Sequence, residues 1–173
     1  MGYVTWVTDK CSSLVEEIAR LASERSLLVA AAESLTSGSI ATCLGAGPDA
    51  STWFAGSVVA YHESVKFDVL GVDKGPVCTE SCARQMALGA ARLLSADAAV
   101  SVTGVGGPGA QEGLPSGSVF IAATIRGRVR HGEFHFDGDP PEVIRASTEA
   151  ALSMLAQQLA RVASWRGSAA TTS

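Results

Sequence analysis

Apolar residues recur at helical spacing at Leu14, Ile18, Leu21 and Ala22, behind serines able to cap, and predict a helix over about 12–25. Leu27 to Ala32 is a short apolar run closed by Glu33 and predicts a buried strand. A small, hydroxyl-rich turn, Ser34 to Ser39, leads into an apolar helical stretch ending at Leu44, which Gly45 to Asp49 breaks. A second buried strand is predicted from about Phe54 to Tyr61, then a short helix through Leu70 that Gly71 stops. Thr79 caps a helix with Ala83, Met86, Ala87, Ala90 and Leu94 on one face, and Ala98 to Thr103 reads as a strand. Ser118 to Ile125 and Arg128 to Phe136 flank Arg126-Gly127 as a hairpin. Asp139-Pro140-Pro141-Glu142 opens the last helix: a capping Asp, proline in the first turn, and Glu at the capping-box position. Its apolar stripe runs Ile144, Ala151, Leu152, Leu155, Leu159 and Val162, and from Ser164 the chain turns small and polar, as a frayed tail would.

Helices alternating with strands, plus one hairpin that a purely parallel sheet would not contain, predict a single-domain α/β fold. With 173 residues, 47% of them apolar, the chain is long enough for one full core. No repeat or internal boundary divides it, so residues 12–163 are expected to form one domain, with 1–11 as an extension and 164–173 as the tail. A net charge of −4 gives no basic footprint for nucleic acid or an anionic membrane. No apolar run approaches bilayer-spanning length, and Met1 to Val7 lacks the marks of a signal peptide, so the cytoplasm is the expected compartment. Cys11, Cys43, Cys78 and Cys82 fit neither a zinc spacing nor a secreted framework and read as reduced thiols. His131 and His135 lie four residues apart on a strand, roughly 13 Å, too far to share one ion. No metal and no cofactor is expected.

Three stretches carry candidate chemistry. Ser51, Tyr61 and Lys66 bracket the strand near Phe54 with a hydroxyl, a phenol and an amine, a set for amide hydrolysis if they converge. The turn after Glu33 presents hydroxyls and free N–H groups at a helix start, an expected anion cradle, and Glu33 itself needs a partner. Thr103-Gly104-Val105-Gly106-Gly107-Pro108-Gly109 contains G-x-G-x-x-G, but Pro108 interrupts and no helix follows, so the dinucleotide reading fails. What remains is a long glycine-rich loop at a strand end, where backbone approaches a ligand closely.

Taken in order, several motifs resemble one family. They are Ala32-Glu33-Ser34-x-Thr36-x-Gly38, Ser51-x-Trp53-Phe54-x-Gly56, Tyr61 with Lys66, Thr103-Gly104-x-Gly106-Gly107-Pro108, Pro115-x-Gly117, and Gly138-Asp139 followed by Ile144-Arg145. The set resembles the C-terminal domain of competence/damage-inducible CinA proteins, whose stand-alone members are nicotinamide mononucleotide deamidases. The resemblance implies that family's fold, a three-layer α/β/α sandwich on a mixed, mostly parallel sheet, and longer members add a molybdopterin-cofactor-binding-like domain. With about ten residues before its first helix, this chain is similar to the stand-alone form.

The resemblance implies an amidase that hydrolyses the carboxamide of nicotinamide mononucleotide to nicotinate mononucleotide and ammonia, acting as a cytoplasmic homo-oligomer. It implies Ser51 as nucleophile, with Ser34 as rival, Lys66 as base and Tyr61 as proton relay or orienting group. Gly104, Gly106 and Gly107, following Thr103, would offer N–H groups to the oxyanion. Glu33, Ser34, Thr36, Gly38 and Arg145 would surround the phosphoribosyl part. Two departures stand out: Leu35 and Ser37-Gly38 where the family often has Cys and Gly-Gly around Thr36, and Pro140 in place of the arginine of Gly-Asp-Arg. The alternative is a nucleotide-binding module that kept the pocket and lost turnover.

Overall fold

A computed structural model describes residues 8–165. Residues 1–7 of the expected extension, and the expected tail beyond Trp165, lie outside the described residues. Helix α1 (Asp9–Glu24) begins earlier than the serines suggested, because the Thr8 hydroxyl accepts the Cys11 N–H at 3.1 Å and is the cap. The chain continues as β1 (Val29–Glu33), α2 (Ser39–Gly45), α3 (Ala50–Trp53), β2 (Phe54–Val59) and α4 (Glu63–Asp68). Then follow α5 (Glu80–Leu93), β3 (Ala98–Gly104), β4 (Ser118–Ile125), β5 (Arg128–His135) and α6 (Pro140–Trp165). The two predicted caps hold: Thr79 accepts the Cys82 N–H, while Asp139 and Glu142 exchange bonds to each other's N–H at 3.0 and 2.9 Å.

The sheet runs β2-β1-β3-β4-β5. It is mixed, as expected, but parallel pairs do not prevail: β1 pairs parallel with β2 and β3, while β3–β4 and β4–β5 are antiparallel. Alternation along the central strands splits the core. Val29, Ala31, Val100, Val102, Ile121 and Ala123 face α1, α2 and α6. Ala30, Ala32, Ala99, Phe120 and Ala122 face α5 and the segment around α4. Both faces of β1, β3 and β4 are covered, which makes the three layers.

One expectation fails here. The apolar run from Phe54 predicts a buried strand, yet β2 is an edge strand of half-buried and exposed positions. A short apolar run does not say whether a neighbour lies on both sides, and only β1 pairs with this one. All four cysteines are buried and free.

Candidate active site

The alternation that divides the core also divides the chemistry at the end of β1. Glu33 continues the side covered by α2, and Ser34 falls on the other. The Ser34 N–H donates to the Val102 carbonyl at 3.0 Å, carrying the ladder one residue past the strand. Beside it, Ala60 N–H donates to the Glu33 carbonyl at 2.7 Å and locks the end of β2 onto β1. The chain then turns into α4, capped by His62, whose ring Nδ1 accepts the Ser64 N–H. One turn of helix brings Lys66 back over that strand end.

Lys66 is 1% exposed, and its Nζ lies 3.1 Å from Ser34 Oγ, 2.7 Å from the Ala60 carbonyl and 3.3 Å from the Tyr61 carbonyl. As an ammonium it donates to all three. As a free amine, its two N–H groups serve the carbonyls and its lone pair accepts the Ser34 hydroxyl proton. Burial pushes its pKa below the ordinary lysine value. The neighbouring thiols of Cys78 and Cys82 are themselves pushed up to about 11, chiefly by burial, so neither is an anion that would retain the proton at neutral pH.

The pair sits at the wall of a cavity of about 510 Å³, which Ser34, Tyr61, Lys66, Cys78, Gly106 and Pro140 help to line. The glycine loop closes one side. Gly104 has φ 145°, and a Cβ there would overlap the Ser118 carbonyl oxygen, so only glycine turns the chain at the end of β3. A Cβ on Gly106 would lie 3.2 Å from Leu35 Cβ, a measure of how closely the loop approaches the Ser34 turn. No backbone bond to a described residue holds the Gly106 or Gly107 N–H. The loop is tied down: Val105 N–H donates to the Ser118 carbonyl, and the Glu112 carboxylate accepts Val77 and Cys78 N–H at 2.9 and 2.8 Å.

Several expected roles change. Ser51 lies in α3, exposed, ahead of β2, whose first residue pairs with Val29 at the start of β1. Ser34 and Lys66 belong to the far ends of those two parallel strands, about 15 Å along the chain direction. Residues just before and just after one strand stand at opposite ends of the sheet, so Ser51 and Lys66 do not meet; Ser34, the rival, meets Lys66. Tyr61 is 69% exposed and lines the cavity, but its carbonyl rather than its phenol contacts Lys66.

The expected anion cradle is already filled. Glu33 is fully buried, and its own carboxylate accepts the Gly38, Ile40 and Ala41 N–H groups and the Thr36 and Ser57 hydroxyls. Glu33 and Thr36 therefore face each other, and the donors that surround the carboxylate are spent on it. Thr103 likewise spends its hydroxyl on the Val77 carbonyl at 2.8 Å, although it borders the cavity. Arg145 is exposed on α6, pairs with no described residue and does not line the cavity, whereas its neighbour Ile144 does. Glu142 and Glu149, its possible helix partners, bond instead to Asp139 and to Thr8 and Lys10. No local pattern marks Val77, Cys78 or Glu112 as site residues, because only the tertiary fold brings the loop back onto that segment.

An α/β domain whose cavity opens at the carboxyl ends of parallel strands has the build of a small-molecule site. Residues 11–159 match the CinA C-terminal domain, and the chain belongs to that family. It is 38% identical over 156 residues to a CinA-like protein of Thermosynechococcus vestitus, covering 85% of this chain and 38% of that protein. It is 30% identical over 158 residues to protein YdeJ of Escherichia coli, covering 88% of this chain and 92% of that one. The solved CinA superfamily protein of Klebsiella pneumoniae superposes with a TM-score of 0.83 at 29% identity, covering 87% of this chain and 98% of that one. The chain spans about a third of the length of the longer curated relatives it matches.

Proposed function

We propose that this protein is a serine–lysine amidohydrolase converting nicotinamide mononucleotide to nicotinate mononucleotide and ammonia in pyridine nucleotide recycling. The observation that carries the reading is the buried amine of Lys66, 3.1 Å from Ser34 Oγ at the wall of the cavity. Ser34 attacks the carboxamide carbon while the free amine of Lys66 takes the hydroxyl proton. The N–H groups of Gly106 and Gly107 receive the oxyanion. Lys66 returns the proton to the leaving nitrogen, and ammonia departs, leaving an ester on Ser34. Water then attacks that ester with Lys66 again as base, releasing the nicotinate carboxylate and the serine. The balance is one amide and one water to one acid and one ammonia, with no cofactor. Tyr61, at the exposed rim, contacts the substrate outside the reacting centre, and Arg145 meets the phosphate as it projects past Ile144. The cytoplasm and a homo-oligomeric state complete the reading.

The test is ammonia release from nicotinamide mononucleotide by the purified chain, with the product identified as the acid. Ser34→Ala and Lys66→Met are expected to lose at least ~10³-fold in kcat/KM, while Ser51→Ala keeps wild-type activity. Full activity in Lys66→Met removes the base from the scheme. Pro140, which lines the cavity where the family carries an arginine, favours the second reading, a binding module. Tight binding of the nucleotide with no ammonia released would establish that one instead.

A further inference from the structure

Beneath α2 lies a titratable group that the scheme above does not use. We propose that Glu33 is a positioning residue: its enclosed carboxylate shapes the turn that holds the Ser34 hydroxyl against Lys66, and so sets the reactivity of that serine. The inference rests on Ser34 being the nucleophile, and not on which carboxamide it attacks.

Glu33 is 0% exposed and forms no ion pair with a described residue. Its Oε2 accepts the Thr36 hydroxyl at 2.8 Å, Gly38 N–H at 2.9 Å and Ile40 N–H at 3.1 Å; its Oε1 accepts Ala41 N–H at 2.8 Å and the Ser57 hydroxyl at 3.1 Å. A buried carboxylate with no cation is tolerated only when donors surround it, and here three of the five come from the Gly38 cap and the first turn of α2. The consequence is geometric. The carboxylate pulls the residues after Ser34 into a tight reversal, with Ser37 at φ 49° and Gly38 at φ 101°, and Ser37 N–H donates back to the Ser34 carbonyl at 3.1 Å. Ser34 is thus gripped on its N–H by Val102 and on its carbonyl by the turn that Glu33 shapes.

The same residue reaches the other half of the pair. The Glu33 carbonyl accepts Ala60 N–H at 2.7 Å, and the Ala60 carbonyl accepts from Lys66 Nζ. Ser57, on β2, donates to the carboxylate as well, so one residue aligns the ends of both strands that carry the pair. Burial lowers the proton affinity of Lys66, with the nearby carboxylates Glu63 and Glu112 acting against it, whereas Glu33 reaches the pair through its carbonyl and the turn, so its replacement acts on alignment.

The test reads Ser34 directly, through its labelling by a fluorophosphonate, followed by mass spectrometry across pH in the full chain. Glu33→Gln keeps size but turns an N–H₂ toward donors. It is expected to slow the labelling step at least ~10-fold, with the thermal midpoint and the pH midpoint of labelling close to wild type. If Glu33→Gln does not fold, Thr36→Val with Ser57→Ala strips both hydroxyl donors and is expected to slow labelling several-fold. Wild-type labelling rates in a folded variant overturn the proposal, as does a wild-type chain whose Ser34 is not labelled. Labelled Ser34 without ammonia from nicotinamide mononucleotide would defeat the substrate reading alone. Wild-type turnover in Glu33→Gln would defeat this inference alone.

Discussion

At the scale of single residues, a lysine amine buried to 1% exposure has lost its hydration and gained no carboxylate against it. That is why its proton is held less tightly than at the ordinary value of 10.5. The unfolded chain keeps the proton up to that ordinary value, the folded chain only to a lower one. Below both values the folded state bears the full cost of charging the amine, and stability rises with pH across the window between them. Lys66→Met removes the cost. Its stability advantage over wild type is expected to be largest at and below the folded pKa and to close as pH approaches the ordinary lysine value. Urea melts of both proteins along a pH series read that gap directly, and a gap that stays constant would contradict the linkage. The titration has a kinetic face as well under the proposed scheme, in which Lys66 must be uncharged to act as base: the rate of Ser34 acylation should climb with pH through the same folded value. Burial of an ionisable group is what a local sequence pattern leaves unsaid. By local pattern alone Lys66 on a short helix reads as a solvated surface lysine, and its burial comes from the strand ends that fold around it.

At the scale of elements, the start of α6 illustrates a feature that local chemistry settles in full. Asp139 Oδ1 accepts the Glu142 N–H, and Glu142 returns the bond to the Asp139 N–H. Asp139→Ala is expected to cost about 1 kcal/mol, lowering the thermal midpoint by about 2–4 °C. Because Pro140 and Ile144 of the same first turns line the cavity, the substrate KM should rise along with it, while the labelling rate of Ser34, which sits on another element, stays unchanged. Calorimetry and steady-state kinetics on the one variant check both halves. Element β2 is the contrary case. Its apolar composition matched a core strand, and its place at the sheet edge, with β1 alone beside it, depends on how the chain crosses over. The separation of Ser51 from Lys66 has the same origin. Spacing placed it near Lys66 in the sequence, but an extended strand between two residues keeps them apart as surely as a helical turn brings residues together.

At the scale of the whole molecule, β1, β3 and β4 are covered on both faces, whereas β2 and β5 are edges with exposed positions. Amide exchange in the three inner strands is expected to be at least ~10-fold slower than in β2 and β5, since inner bonds open only with the global transition. Comparable protection in β2 would mean that something covers that edge in solution. No helix among the described residues is long and apolar enough to cross a membrane. The alternation of apolar positions, the order of helices and strands, the caps at Thr79 and Asp139 and the hairpin at Arg126-Gly127 were all determined by the sequence, because each depends on neighbours within a few residues or on a period. Which serine meets the lysine, that the carboxylate of Glu33 fills the cradle meant for a ligand, and that Glu112 fastens the glycine loop were decided only in the tertiary structure. Those contacts join residues many positions apart through strand order and register, and their energies arise from burial, which no stretch of chain acquires by itself.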